Sequence, residues 1–149
     1  MLKTLSLKVV LWIFVLLFFS MSNGHCNPIN LAVIEQIESS GNPKAIGNGN
    51  DIGSFQITPI LLKEYNRLTG HHLQRKDLFD HTINLSIAQW YIEERIPQLL
   101  KHYNKPVTIE NIIICYNAGI SYVAHNKPIP TKTKQYIKKY KDLTHGATS

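Results

Sequence analysis

Little of this 149-residue chain is charged, 17% counting Asp, Glu, Lys and Arg together, and only two residues are cysteine. No Lys/Arg run exceeds two in a row and no arginine-rich stripe occurs, so the excess of 16 basic over 10 acidic groups does not describe a nucleic-acid groove. An H-E-x-x-H arrangement is missing, and two lone cysteines have no metal-ligand spacing. The adjacent His71 and His72 read as loop surface, and no metal is expected. Alternating apolar and polar strands are also missing, as are repeats and low-complexity tracts, which speaks against a β-built or repeat fold. What is abundant is apolar: 44% hydrophobic residues can offset the entropy of ordering, so the chain is not disordered, and its length suits one domain.

The first 24 residues contain Lys3 and Lys8 but no acidic residue, and then an uninterrupted apolar run over 9–19. Eleven residues at about 1.5 Å each reach ~17 Å, short of the ~30 Å hydrocarbon core, so the run reads as a cleaved signal peptide rather than an anchor. Ser22 and Gly24 suit a cut before His25, with Ser20 and Ser22 offering an earlier one. His25 stands where a lipoprotein needs a small residue before its cysteine. Residues 25–149 then carry 14 basic against 10 acidic groups. Both Cys26 and Cys115 would enter an oxidising compartment, where a disulfide between them is expected.

Residues 25–149 read as a mainly α-helical domain with a Gly-rich loop. Asn27-Pro28 looks like a cap and first helical position, with the helix running to about Ser39 before Ser40-Gly41-Asn42-Pro43. Gly47-Asn48-Gly49-Asn50-Asp51 cannot be helix interior. Thr58-Pro59 opens a second helix, closed by Gly70. Asp80 caps a third that carries Ile83, Ile87, Trp90 and Tyr91 at helical spacing, which Pro97 ends or kinks. After the Lys105-Pro106 break, Thr108 caps a buried helix from Ile109 to Tyr116, and a last helix covers about Thr131 to Leu143.

Glu38 falls on the apolar stripe of the first helix, four residues after Ile34 and seven after Leu31. Partial desolvation there would raise its pKa, as a general acid near neutral pH requires. The competing reading is a solvated helix-end carboxylate like Glu35.

Glu38-Ser39-Ser40-Gly41-Asn42-Pro43, then Gly53-Ser54-Phe55-Gln56-Ile57-Thr58-Pro59, then Cys115-Tyr116-Asn117-Ala118-Gly119, together resemble the lytic transglycosylases, the goose-lysozyme-like enzymes that cleave bacterial peptidoglycan. The resemblance covers about Leu31 to Tyr140 and implies a lysozyme-like helical fold. It implies Glu38 as the catalytic acid, Ser39 as a supporting hydroxyl, Gln56 as a sugar contact, and Tyr116 and Asn117 as substrate contacts, Asn117 suiting an N-acetyl group. Tyr136, in Lys132-Thr133-Lys134-Gln135-Tyr136-Ile137, resembles the tyrosine that lies close to the acid. Ser54-Phe55 replaces the usual Leu-Met, with Phe55 still able to wall the cleft; Cys115 replaces Ala, and Lys132 stands where Glu is frequent. Taken singly, Gly53 and Gln56 also read as a turn, Tyr116 and Tyr136 as packing aromatics, and Asn117-Ala118-Gly119 as a helix C-cap.

A glycosidase normally needs two carboxylates. Only Glu38 occupies a matched place, which suits the single-acid chemistry the resemblance implies: protonation of the glycosidic oxygen between N-acetylmuramic acid (MurNAc) and N-acetylglucosamine (GlcNAc), attack by the muramic 6-hydroxyl, and a 1,6-anhydro product, with no cofactor. Asp51, read primarily as a turn former, would as a second carboxylate make a hydrolytic lysozyme. A non-catalytic peptidoglycan-binding module is the reading from a different class. A membrane-active segment would rest only on Lys134, Lys138, Lys139 and Lys141, which read better as a solvated helix face. A domain this small resembles the specialised transglycosylases that open local wall gaps for secretion, pilus or conjugation machines, with such machinery as partner and the periplasm as location.

Overall fold

The computed structural model describes residues 29–146. The signal-peptide segment, the expected Asn27-Pro28 helix start and Cys26 lie outside the described residues. The first described helix, α1 (Leu31–Ser39), starts later than expected: Asn30 is extended and accepts a hydrogen bond from the backbone N–H of Val33 at 3.3 Å, so Asn30 is the cap. Ser40 and Gly41, both at positive φ, turn the chain out of it.

Helix α2 (Pro59–Thr69) follows the expected pattern, with Thr58 accepting from Leu61 N–H at 3.0 Å and Gly70 closing it in the left-handed region. A 3-10 turn, Arg75–Phe79, leads to Asp80, which caps α3 (His81–Trp90) by accepting from Ile83 N–H. Pro97 does not end the helical run here. A π-helical turn over Tyr91–Arg95 precedes α4 (Ile96–His102), and Ile96 N–H bonds back to Tyr91 C=O. The wider turn accommodates a ring that would otherwise press on the carbonyl four residues before it.

Thr108 caps α5 (Ile109–Ala118), which extends two residues past Tyr116. Gly119, at φ 94°, donates its N–H to Cys115 C=O at the end of α5 and turns at once into α6 (Ile120–Ala124), an element without a cap signal in the sequence. Helix α7 (Thr131–Gly146) completes the order and runs three residues past Leu143. Among the described residues there is no strand; the loop before α2 is pinned by isolated bridges, Ile46 to Ile52 and Ile52 to Ile57.

The core explains the arrangement. Ile34, Ile52, Phe55, Ile57, Ile87, Ile92 and Ile113 are buried together, so α1, the loop and α3 to α5 share one apolar interior. Helix α7 packs on both α1 and α5 through Tyr136, Ile137 and Tyr140. The Tyr140 hydroxyl accepts from Asn30 N–H at 2.8 Å, fixing the entry of α1 on the last helix. His71 and His72 are exposed, and Lys134, Lys138, Lys139 and Lys141 are all exposed on α7.

Candidate active site

The apolar stripe of α1 delivers Glu38 to a cleft between the Gly-rich loop, α5 and α7. Two hollows of about 420 and 410 Å3 share Glu38, Asp51, Gln56, Asn117 and Lys132 in their walls, so these side chains mark the neck where the hollows meet. Glu38 is half-buried and accepts a hydrogen bond from the Tyr136 hydroxyl at 2.8 Å. Burial raises its pKa above the ordinary carboxylate value; the Tyr136 hydrogen bond and the Lys132 and Lys139 charges pull it back down, while the Asp51 charge adds to the rise. Glu35, one turn earlier, instead lies 2.8 Å from His81 Nε2. The two carboxylates therefore part by surroundings: Glu35 is bound to His81 of α3, and Glu38 faces the cleft and Tyr136.

The loop opposite Glu38 is held by a group that motif spacing did not single out. Asn84, buried on α3, donates to Ile52 C=O at 2.8 Å and Leu78 C=O at 2.9 Å, and accepts from Phe55 N–H at 2.9 Å. Its signal in the sequence is a polar residue on a helix face with Ile87 and Ala88. Gly53, at φ 82°, lies so close to the Asn84 side chain and the Leu78 carbonyl that a Cβ would collide with both. Gln56 is itself left-handed at φ 50°, a conformation that strains a non-glycine residue, and its Nε2 donates to Gly53 C=O at 2.8 Å. The loop glycines serve close approach: a Cβ on Gly47 would strike Gln56 Oε1, and one on Gly49 would press on the Asp51 carboxylate.

The remaining expected residues fall around this frame. Ser39 Oγ donates to Ser54 C=O at 2.9 Å, fastening the end of α1 to the loop, and its side chain does not line the cleft. Tyr116 lines the larger hollow and donates its hydroxyl to Phe55 C=O at 2.7 Å; burial, then the Glu38 charge, raises its pKa, so it stays neutral. Asn117 lines both hollows, and its Oδ1 accepts from Thr133 at 2.8 Å, leaving its NH2 end for other partners. Phe55 departs from expectation: at 1% exposure it packs into the core with Ile52 and Ile57 rather than walling the cleft, its N–H held by buried Asn84, while Gln56 at positive φ turns outward. Asp51 is more than a turn former, since its carboxylate lines both hollows alongside Glu38.

Other walls were not foreseen. Ile60, 80% exposed, forms an apolar lip, and Tyr91 and Glu64 line the far end of the larger hollow. Burial, reinforced by the Glu64 charge, pushes the Tyr91 phenol up to about 12. Cys115 also borders this hollow but is 1% exposed; burial pushes its thiol up to about 11, so as a thiol it is not a nucleophile at neutral pH.

A helical domain with a half-buried carboxyl of raised pKa at the neck of a groove, beside Asp51 and amide side chains, suits a glycan-cleaving enzyme. The sequence profile of the transglycosylase SLT domain matches residues 17–140, taking in nearly all the described chain and the end of the segment read as a leader. The chain is 31% identical over 155 aligned positions to the membrane-bound lytic murein transglycosylase E of Buchnera aphidicola subsp. Baizongia pistaciae (strain Bp), covering 97% of this chain and 73% of that protein. No solved structure matches the chain significantly. The chain belongs to the SLT family of lytic transglycosylases.

Proposed function

We propose that this enzyme, a peptidoglycan lytic transglycosylase, uses Glu38 alone as acid and then base to cleave the MurNAc–GlcNAc β-1,4 bond with formation of 1,6-anhydro-MurNAc. The carrying observation is the placement of Glu38 at the neck of the cleft, with Oε1 held by Tyr136 and the pKa raised by burial. With Oε1 engaged, Oε2 is the oxygen that holds the acid proton. Glu38 gives that proton to the glycosidic oxygen as the bond from C1 to that oxygen breaks. The resulting carboxylate takes the proton from the muramic 6-hydroxyl as O6 bonds to C1, restoring the acid. No water is consumed.

The surroundings suit the charge that develops. Tyr116 and Tyr91 stay uncharged, and Asp51 supplies negative charge in the same cleft as an oxocarbenium-like centre. The NH2 of Asn117 is suited to a substrate N-acetyl carbonyl, and Gln56 presents its amide at the neck. Asp51 also supports the second reading, a hydrolase in which it directs water at C1.

Mass spectrometry of peptidoglycan digested by the purified enzyme, beside Glu38→Gln, separates these readings. Anhydro-muramic ends made only by the parent support the transglycosylase. Reducing ends, heavier by one water, support the Asp51 hydrolase, and binding without products supports a non-catalytic module. The biological role we assign to this activity is the opening of local wall gaps in the periplasm for a secretion, pilus or conjugation machine. Loss of the gene with no effect on assembly of a wall-spanning apparatus would refute that role. A Cys26–Cys115 bridge in the exported protein belongs to the same reading.

A further inference from the structure

Helix α7 carries five lysines; Lys134 is exposed with neither an ion pair among the described residues nor a place in the cleft wall, and the other four divide by face. Lys138 pairs with Asp142 at 2.7 Å and Lys141 with Glu110 at 2.9 Å, both away from the cleft. Lys132 and Lys139 enter no ion pair among the described residues, and both line the cleft: Lys132 borders both hollows, Lys139 the smaller one. Seven residues apart, they lie on one helix face, about 10 Å from each other along the axis, with Gln135 and Tyr136 between them. Facing them across the smaller hollow are Asn48 and the Gly47 and Gly49 backbone, with Asp51 and Glu38 at the neck. With Glu38 protonated, as the acid must be before reaction, Asp51 alone cannot balance the two ammonium groups.

We propose that Lys132 and Lys139 form a carboxylate-binding edge of the smaller hollow, selecting glycan strands that carry an anionic substituent on the muramic ring. The inference rests on the peptidoglycan reading above. The muramic 3-O-lactyl group is the point at which a peptidoglycan strand departs from a neutral amino-sugar polymer. Bare, it ends in a carboxylate; substituted, it is an amide that carries a peptide stem with carboxylates of its own. Either places negative charge on the side of the ring, where a fixed pair of cations can hold it without engaging the acid. Two solvent-exposed lysines at this spacing give a salt-sensitive contribution, strengthened by the walls of the groove.

Binding, measured without turnover, tests this. In the Glu38→Gln protein, dissociation constants are compared for peptide-bearing strands, for strands stripped of peptide by an amidase, and for neutral N-acetylglucosamine oligomers, before and after adding Lys132→Gln and Lys139→Gln together. The expected result is about a tenfold loss for the anionic strands, none for the neutral oligomer, a flatter salt dependence, and recovery with Lys132→Arg and Lys139→Arg. Loss confined to peptide-bearing strands identifies the stem carboxylates; equal loss on stripped strands identifies the lactyl carboxylate. An equal loss for all three ligands, or none for any, overturns the carboxylate edge while leaving the glycan cleft standing. Failure of the Glu38→Gln protein to bind any of the three, with its fold intact by circular dichroism, overturns the cleft reading and the edge with it.

Discussion

The hydroxyl of Tyr136 donates to Oε1 of Glu38 at 2.8 Å, joining α7 to the end of α1 across 98 residues of chain. The contact fixes one carboxyl oxygen and leaves the other for chemistry. Glu38→Gln keeps an oxygen to accept from Tyr136 but has no proton to give, so cleavage should fall by at least a thousandfold while the fold persists. Anhydro-muropeptide release within tenfold of the parent would remove Glu38 from the mechanism.

The same substitution should change stability in a pH-dependent way. Burial raises the Glu38 pKa in the folded chain above its ordinary value near 4.5. Ionisation is then harder folded than unfolded, so this group favours folding most below the unfolded value and that advantage is lost as pH rises through the folded one. Gln avoids the loss. Urea unfolding should show Glu38→Gln gaining on the parent between pH 4 and pH 7; an equal difference at both would mean the carboxyl is not desolvated.

On the alkaline side, kcat/KM should decline as Glu38 loses its proton, above the range of an ordinary carboxyl. Lys132 lowers the Glu38 pKa, so Lys132→Gln should carry that decline to higher pH, and Tyr136→Phe, which removes a hydrogen bond to the charged form, should act in the same direction with a lower maximal rate. A pH profile unmoved by both changes would show that neither group acts on the acid.

Asn84 is the support of the loop opposite Glu38. Asn84→Ala would strip partners from two carbonyls and one N–H in a buried setting, at ~1–3 kcal/mol for each unsatisfied group, so urea unfolding should show a loss of about 3 kcal/mol or more. Gly53→Ala should be comparably damaging, through both its positive φ and the collision with Asn84. Either variant unfolding like the parent would break this account.

Ser54 offers the opposite change. Its side chain is wholly buried and its Oγ has no hydrogen-bond partner among the described residues, while the bond from Ser39 uses only the Ser54 carbonyl. Ser54→Ala should therefore stabilise by about 1 kcal/mol, read as a higher Tm with activity retained. A lower Tm would mean the hydroxyl has a partner.

What the sequence determined by itself is local. Capping side chains, proline and left-handed glycine act within a few residues, so Thr58, Asp80, Thr108 and Gly70 marked helix ends that the structure repeats, while apolar spacing on α1 left Glu38 open between a desolvated carboxyl and a solvated one like Glu35. Where local signals competed, only the folded chain chose: Asn30 outranked Asn27-Pro28 as the start of α1, and a π turn absorbed Pro97 without ending the helical run. The direction of Phe55 into the core, the three hydrogen bonds of Asn84 and the placing of Lys138 and Lys141 in ion pairs but Lys132 and Lys139 in the cleft all depend on what lies across the fold. Such decisions are made by shape and desolvation between segments far apart in the chain. A motif can single out Glu38, but its burial and its bond to Tyr136 depend on residues up to 98 positions away.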